Sequence, residues 1–164
     1  MNERRADRQA RAPSLPVFAY VLALLFTADR QEIVLVDKTR PAWQAGRVNA
    51  LGGKLRDGES VEDAARREVR EEAGVDVASW ERVLVWRDAQ YTMHVVRAFD
   101  DAARRARTAE DQHVFRAPVH ALPLNVIDNL RWLVPLALDR EVALPIDVRS
   151  ASPTGSGLTE PPSA

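Results

Sequence analysis

Three glutamates, Glu68, Glu71 and Glu72, crowd together in a segment whose composition predicts a helix. Residues 60 to 73 contain no Gly or Pro and are rich in Ala, Glu and Arg. Ser60 is a cap for its start, Asp63 is placed as in a capping box, and Gly74 is a stop. On a helical wheel of about 100° per residue, Val61, Ala64, Ala65, Val69 and Ala73 gather on one side. Arg66, Arg67 and Arg70 lie opposite with Asp63, while Glu68 and Glu72 sit one turn apart inside the apolar arc and Glu71 at its edge. Ionised carboxylates on a core-facing stripe are costly to desolvate unless positive charge meets them. One answer is i,i+4 pairing with the arginines, but the wheel sends most of those elsewhere. A hard divalent cation such as Mg²⁺, held by several carboxylate oxygens of one rigid helix, is the simpler answer.

The preceding loop points the same way. Gly52-Gly53-Lys54-Leu55-Arg56-Asp57-Gly58-Glu59 joins close-approach glycines to a cation just before a helix start. Glycines bring backbone groups near a metal or phosphate, and a helix start favours anions. Lysine occurs only at Lys38 and Lys54 in a chain otherwise rich in Arg, which draws attention to Lys54. By itself such a loop is an ordinary turn; beside an acid-lined helix it suggests a metal and diphosphate site.

Gly53, Glu59 and the run Arg67-Glu68-Val69-Arg70-Glu71-Glu72-Ala73-Gly74-Val75 together resemble the Nudix box, G-x5-E-x7-R-E-U-x-E-E-x-G-U. Every fixed position is filled, and the box spans 23 of 164 residues. The resemblance implies an α/β fold, a Nudix-type α/β/α sandwich with a mixed β-sheet. It also implies Mg²⁺, with Mn²⁺ as a substitute, held by Glu68, Glu71, Glu72 and the backbone of Gly53. Glu71 and Glu72 are then the catalytic acids, with Glu71 a further ligand or a water-orienting base. Glu59 and Arg67 orient the carboxylates, Lys54 meets phosphate, and Glu110 is the expected extra acid from a later loop.

Outside the box, Asn49 in Val48-Asn49-Ala50-Leu51-Gly52-Gly53-Lys54 is similar to the base-binding asparagine of enzymes that hydrolyse oxidised purine triphosphates, with Ala50 departing from their glycine. Asp128, Asn129, Trp132 and Pro135 resemble the acidic pair, aromatic and proline of the same enzymes, with Asn129 in place of the second acid. The alternative for Trp132 is core packing at helical spacing, and for Asp128 a helix cap. Trp43 and Trp86 suit either base stacking or core packing, and His94 a structural place in a strand.

The expected reaction is hydrolysis of a purine nucleoside triphosphate, oxidised or not, to monophosphate and pyrophosphate. Other substrates in view are ADP-ribose, another nucleotide sugar or a dinucleoside polyphosphate. From a different class comes a non-catalytic Nudix-like nucleotide sensor, against which the intact acids argue. The expected partner is a small nucleotide, with no stable nucleic-acid partner and no membrane, in a monomer or homodimer.

The surrounding elements must position this constellation. Val17 to Thr27 and Ile33 to Val36 read as strands joined by a polar turn, and residues 37 to 58, with their Pro and Gly, as mostly loop. Arg82 to Trp86 and Tyr91 to Phe99 read as a strand pair, Asp101 to Thr108 as a polar connection, His113 to Ala117 as a short strand. Val126 to Leu138 reads as a second helix irregular at Pro135. The expected domain covers 15–140, between disordered tails at 1–14 and 141–164.

Arg4, Arg5, Arg8 and Arg11 before the apolar run imitate a secretory signal. Glu3, Asp7, Pro13 and Pro16 interrupt that pattern, and the run is too short to span a bilayer, so a buried first strand in a cytoplasmic protein is expected. The 164 residues suffice for one cored domain, and a net charge of −1 argues against a general nucleic-acid or membrane-surface binder. With no cysteine, disulfides, thiolate metal sites and cysteine nucleophiles are excluded.

Overall fold

A computed structural model of the protein describes residues 18–150. The expected tail at 1–14 and residues 151–164 of the expected tail at 141–164 lie outside the described residues. The strands are β1 (Phe18–Phe26), β2 (Glu32–Lys38), β3 (Arg47–Lys54), β4 (Glu81–Arg87), β5 (Tyr91–Phe99), β6 (Val114–Pro118) and β7 (Ile146–Arg149). Helix α1 (Val61–Ala73) follows β3, helix α2 (Leu130–Leu138) follows β6, and a short 3-10 turn occupies Asp101–Arg105.

All seven strands form one sheet in the order β6-β2-β3-β1-β5-β4-β7. β1 runs parallel to β5 and β4 parallel to β7; the other pairings are antiparallel, so the sheet is mixed. The central strand β1 explains its own unbroken apolar run. Val21, Ala23 and Leu25 pack with the α1 residues Ala65 and Val69, while Leu22, Leu24 and Phe26 pack with Leu130 and Leu133 of α2. A strand covered on both faces has no solvent side to mark with polar residues. The α/β/α sandwich is therefore two cores separated by one sheet.

The structure amends three expectations. The stretch 37–58 holds a strand as well as loop, because β3 runs through it. Its Gly52 and Gly53 pair with Leu22 and Val21 of β1, so these glycines mark close approach within a strand rather than a turn. The second helix begins at Leu130, not Val126: Val126 instead bridges Val48, and the Ile127 N–H donates to the Val48 carbonyl at 2.8 Å. Pro135 lies inside α2. The region after residue 140 is not all tail, because β7 adds to β4, burying one side of Ile146 and Val148 against the α2 core.

Candidate active site

Helix α1 is built to hold its acids still. The Ser60 hydroxyl oxygen accepts from the Asp63 N–H at 3.1 Å, and Gly74 closes the helix at φ 65, donating to the Arg70 carbonyl at 3.1 Å. The Asp63 side chain does not complete a reciprocal box; its carboxylate accepts from the Ser60 hydroxyl at 2.7 Å. Packing of Val61, Ala65, Val69 and Ala73 on the sheet then fixes the helix's rotation, which carries Glu72 under β3.

Glu72 is buried, and its two oxygens have different partners. Oε2 accepts from the Gly52 N–H at 2.9 Å, and Oε1 from the Lys38 ammonium at 3.4 Å. Burial pushes the Glu72 carboxyl above its ordinary pKa, opposed by the charge of Lys38 and the Gly52 N–H. The Lys38 side chain is itself only 11% exposed, so this is a buried ion pair, expensive to break from either side.

Lys38 is the site residue that the sequence reading missed. A signal was present: with a period of two from Val34 and Val36, Lys38 falls on the α1 face of β2.

Around Glu68 and Glu71 the charges form a network centred on Arg67. Arg67 donates to Glu59 through Nε at 2.7 Å and Nη2 at 2.8 Å, to Glu68 at 2.6 Å and to Glu71 at 3.2 Å. It also donates to the Lys54 carbonyl at 3.2 Å. The wheel placed Arg67 away from the acids; its long side chain bends back to reach Glu68 and Glu71. Arg56 meets the other oxygen of Glu71 at 3.2 Å. Arg67 thus ties the helix to the loop before it through Glu59 and the Lys54 carbonyl.

The paired hydrogen bonds from Arg67 hold the Glu59 carboxyl at about 2, helped by the Arg56 N–H. A carboxylate with a depressed folded pKa contributes stability above its ordinary value of 4.5, lost as pH falls toward about 2. Thermal melts should therefore drop between those limits, and Glu59→Gln should flatten that part of the profile. An unchanged acid limb in Glu59→Gln would show that the pair does not stabilise the fold.

The donor set fits a divalent cation. Among the described residues no three acids stand at metal-ligand spacing as their side chains lie, since each carboxylate is turned to a protein cation or N–H. The backbone nonetheless leaves a cradle. A Cβ added at Gly53 would stand 2.4 Å from Glu68 Oε1, so only glycine lets strand and carboxylate approach this closely. Glu68 against Gly53, Glu72 against Gly52 and Glu71 beside Arg67 form an all-oxygen set suited to Mg²⁺ or Mn²⁺.

The remaining expected residues are spread more widely. Glu110 is exposed on a loop anchored near α1 by the Ala109 N–H, which donates to the Glu72 carbonyl at 3.0 Å. Its neighbour Asp111 pairs with Arg40. The Lys54 ammonium lies 4.0 Å over the Phe18 ring, at a 360 Å³ open cavity that Arg56 also lines, and not among the three acids. Asn49 donates to Gln44 at 3.1 Å, and Asp128 accepts from Arg47 at 2.6 Å. Asn129 precedes α2 without a side-chain cap bond. Trp132 packs against Trp86 with ring centroids 5.8 Å apart, yet is 40% exposed. Trp43 is 57% exposed on the loop before β3.

No helix among the described residues is long and apolar enough to cross a membrane. A family model described as NUDIX domain matches residues 18–149, nearly the whole described chain. Two curated relatives are described as oxidized purine nucleoside triphosphate hydrolase. The Mus musculus protein is 39% identical over 64 residues, 39% of this chain and 39% of its own length. The Danio rerio protein is 40% identical over 50 residues, 30% of this chain and 32% of its own. The matches thus span well under half of either relative.

Two solved structures share the fold at 22% identity. A MutT structure described for Aliivibrio salmonicida and Vibrio cholerae has TM-score 0.59, covering 73% of this chain and 98% of that one. The MutT NUDIX hydrolase of Burkholderia pseudomallei has TM-score 0.61, covering 74% and 98%.

Proposed function

The chain belongs to the NUDIX domain family, and from that premise we propose that it is a Mg²⁺-dependent pyrophosphohydrolase of purine nucleoside triphosphates. The carrying observation is the set Glu68, Glu71 and Glu72 on one buried-edge helix, closed by the glycine backbone of β3. The purine preference draws on the curated relatives' descriptions and on Asn49 of β3 and Asp128, which β3 reaches through Arg47.

Glu68, Glu71, Glu72 and the Gly53 backbone would hold the metal, which when bound neutralises the diphosphate and makes its phosphorus easier to attack. The protein supplies the rest. Arg67 and Glu59 keep Glu68 and Glu71 from rotating away. Glu71, the most exposed of the three, accepts the proton as the water oxygen bonds to phosphorus. The bridging P–O bond breaks, its oxygen leaving with pyrophosphate, and the monophosphate remains. Lys38 would keep the Glu72 carboxylate ionised and facing the site.

Changing Asn49 tests the substrate half of this reading. With Mg²⁺ and a panel of purine and pyrimidine triphosphates, oxidised forms included, Asn49→Ala should lose on the order of tenfold in preference for its best base. A preference profile identical to the parent would remove Asn49 from base recognition.

A further inference from the structure

Strand β3 carries Arg47 and Asn49 two residues apart and therefore on one side of the sheet. The segment before α2 returns to this end of β3 and is sewn to it. Val48 N–H donates to the Asn125 carbonyl at 3.0 Å, Ile127 N–H to the Val48 carbonyl at 2.8 Å, and Asn125 Nδ2 to the Gly46 carbonyl at 3.1 Å. Arg47 adds the side-chain stitch: its Nη2 donates to the Val126 carbonyl at 3.1 Å and to Asp128 Oδ1 at 2.6 Å.

We propose that Arg47 is a positioning residue for base recognition, orienting the Asp128 carboxylate toward a nucleobase edge that presents N–H donors. This rests on the reading above that Asn49 and Asp128 meet the base. The Asp128 side chain is 88% exposed, so without a partner its rotamers are free and must be ordered by the ligand. Arg47, 35% exposed, orders it beforehand, and preorganisation of this kind appears as affinity. Geometry also sets the chemistry. An ionised carboxylate only accepts hydrogen bonds, and Arg47 occupies Oδ1, leaving Oδ2 for an amino or imino N–H of a purine. In the next residue, Asn129, Oδ1 is buried with no hydrogen-bond partner among the described residues.

The test is steady-state kinetics with Mg²⁺ on purine and pyrimidine nucleoside triphosphates, using Arg47→Ala, Arg47→Lys, Asp128→Asn and the double variant Arg47→Ala/Asp128→Asn. Thermal melts check that each is folded. Arg47→Ala should raise KM for the preferred nucleotide about tenfold and change kcat by less than about twofold. Arg47→Lys, which keeps charge and stem, should recover part of that loss, and it carries the test if Arg47→Ala does not fold. The double variant should be no worse than Asp128→Asn, because both changes remove one interaction. If Asp128→Asn alters KM and base preference while Arg47→Ala does neither, the inference is overturned and the base site stands. If Asp128→Asn is silent, the base-site reading falls and takes the inference with it. A kcat loss in Arg47→Ala that is equal for every nucleotide would place Arg47 on phosphate and overturn the proposal.

Discussion

Glu72→Gln should reduce kcat by on the order of 10³-fold in a protein that still folds but melts at a lower temperature, because removing one metal-holding charge costs several kcal/mol of barrier and leaves Lys38 without its partner. The isosteric amide keeps an oxygen to accept from Gly52 N–H, a bond of 2.9 Å in the parent, so β3 and α1 remain joined. What is lost is the negative charge between Lys38 and the metal site. The loss of charge should also appear in binding: calorimetric titration with Mg²⁺ alone should show a weakened or absent site. Parent-like kcat would show that Glu72 holds no metal, and that its buried position serves only the Lys38 pair.

Gly52→Ala should be the most damaging single change to the fold, lowering stability by about 3 kcal/mol or more. Gly52 has φ +145, which side-chain-bearing residues rarely adopt, and an added Cβ would stand 2.1 Å from the Val21 carbonyl oxygen. That oxygen is backbone in the central strand, where neither side can give way. A melting temperature lower by roughly 10 °C is expected for a domain of this size.

Gly53→Ala makes the useful contrast. Its Cβ would meet the Glu68 carboxylate, the movable end of a side chain, so the fold should survive and activity should fall on the order of 100-fold. Circular dichroism melts and turnover on both variants separate the two roles. Equal melting temperatures for the parent and Gly52→Ala would contradict the close approach of β3 to β1.

The most local features were the ones legible in the sequence. Helix α1 was readable because Ser60, the apolar arc and Gly74 all lie within its own length, and the acids on that arc were visible on a wheel. Strand β3 was not readable, since glycines usually break strands and nothing nearby reveals that Val21 and Leu22 of β1 lie against them. β7 was missed for a similar reason: four residues at an edge, in a Pro- and Ser-bearing stretch, are defined by β4 rather than by their own pattern.

Within the site, Gly53, Glu68, Glu71 and Glu72 were named from the motif, whereas the contact of Gly52 with Glu72 was not. Lys38 was missed too, because its partner Glu72 lies 34 positions away. Arg67 was named by resemblance as orienting the acids but was sent elsewhere by the wheel, which knows the Cβ direction and not the reach of a guanidinium. Asp128 was read as a base contact or a helix cap; the structure couples it to Arg47 across 81 positions.

The central claim is that these acids serve metal-dependent cleavage of a nucleotide phosphoanhydride. Turnover with Mg²⁺ across ordinary and oxidised triphosphates, ADP-ribose and a dinucleoside polyphosphate, with products identified, tests it most directly. Monophosphate and pyrophosphate should form from a purine triphosphate, and chelator or Glu72→Gln should abolish their release. Nucleotide binding without Mg²⁺-dependent turnover of any member of the panel would contradict the claim, and would leave a nucleotide sensor in the enzyme's place.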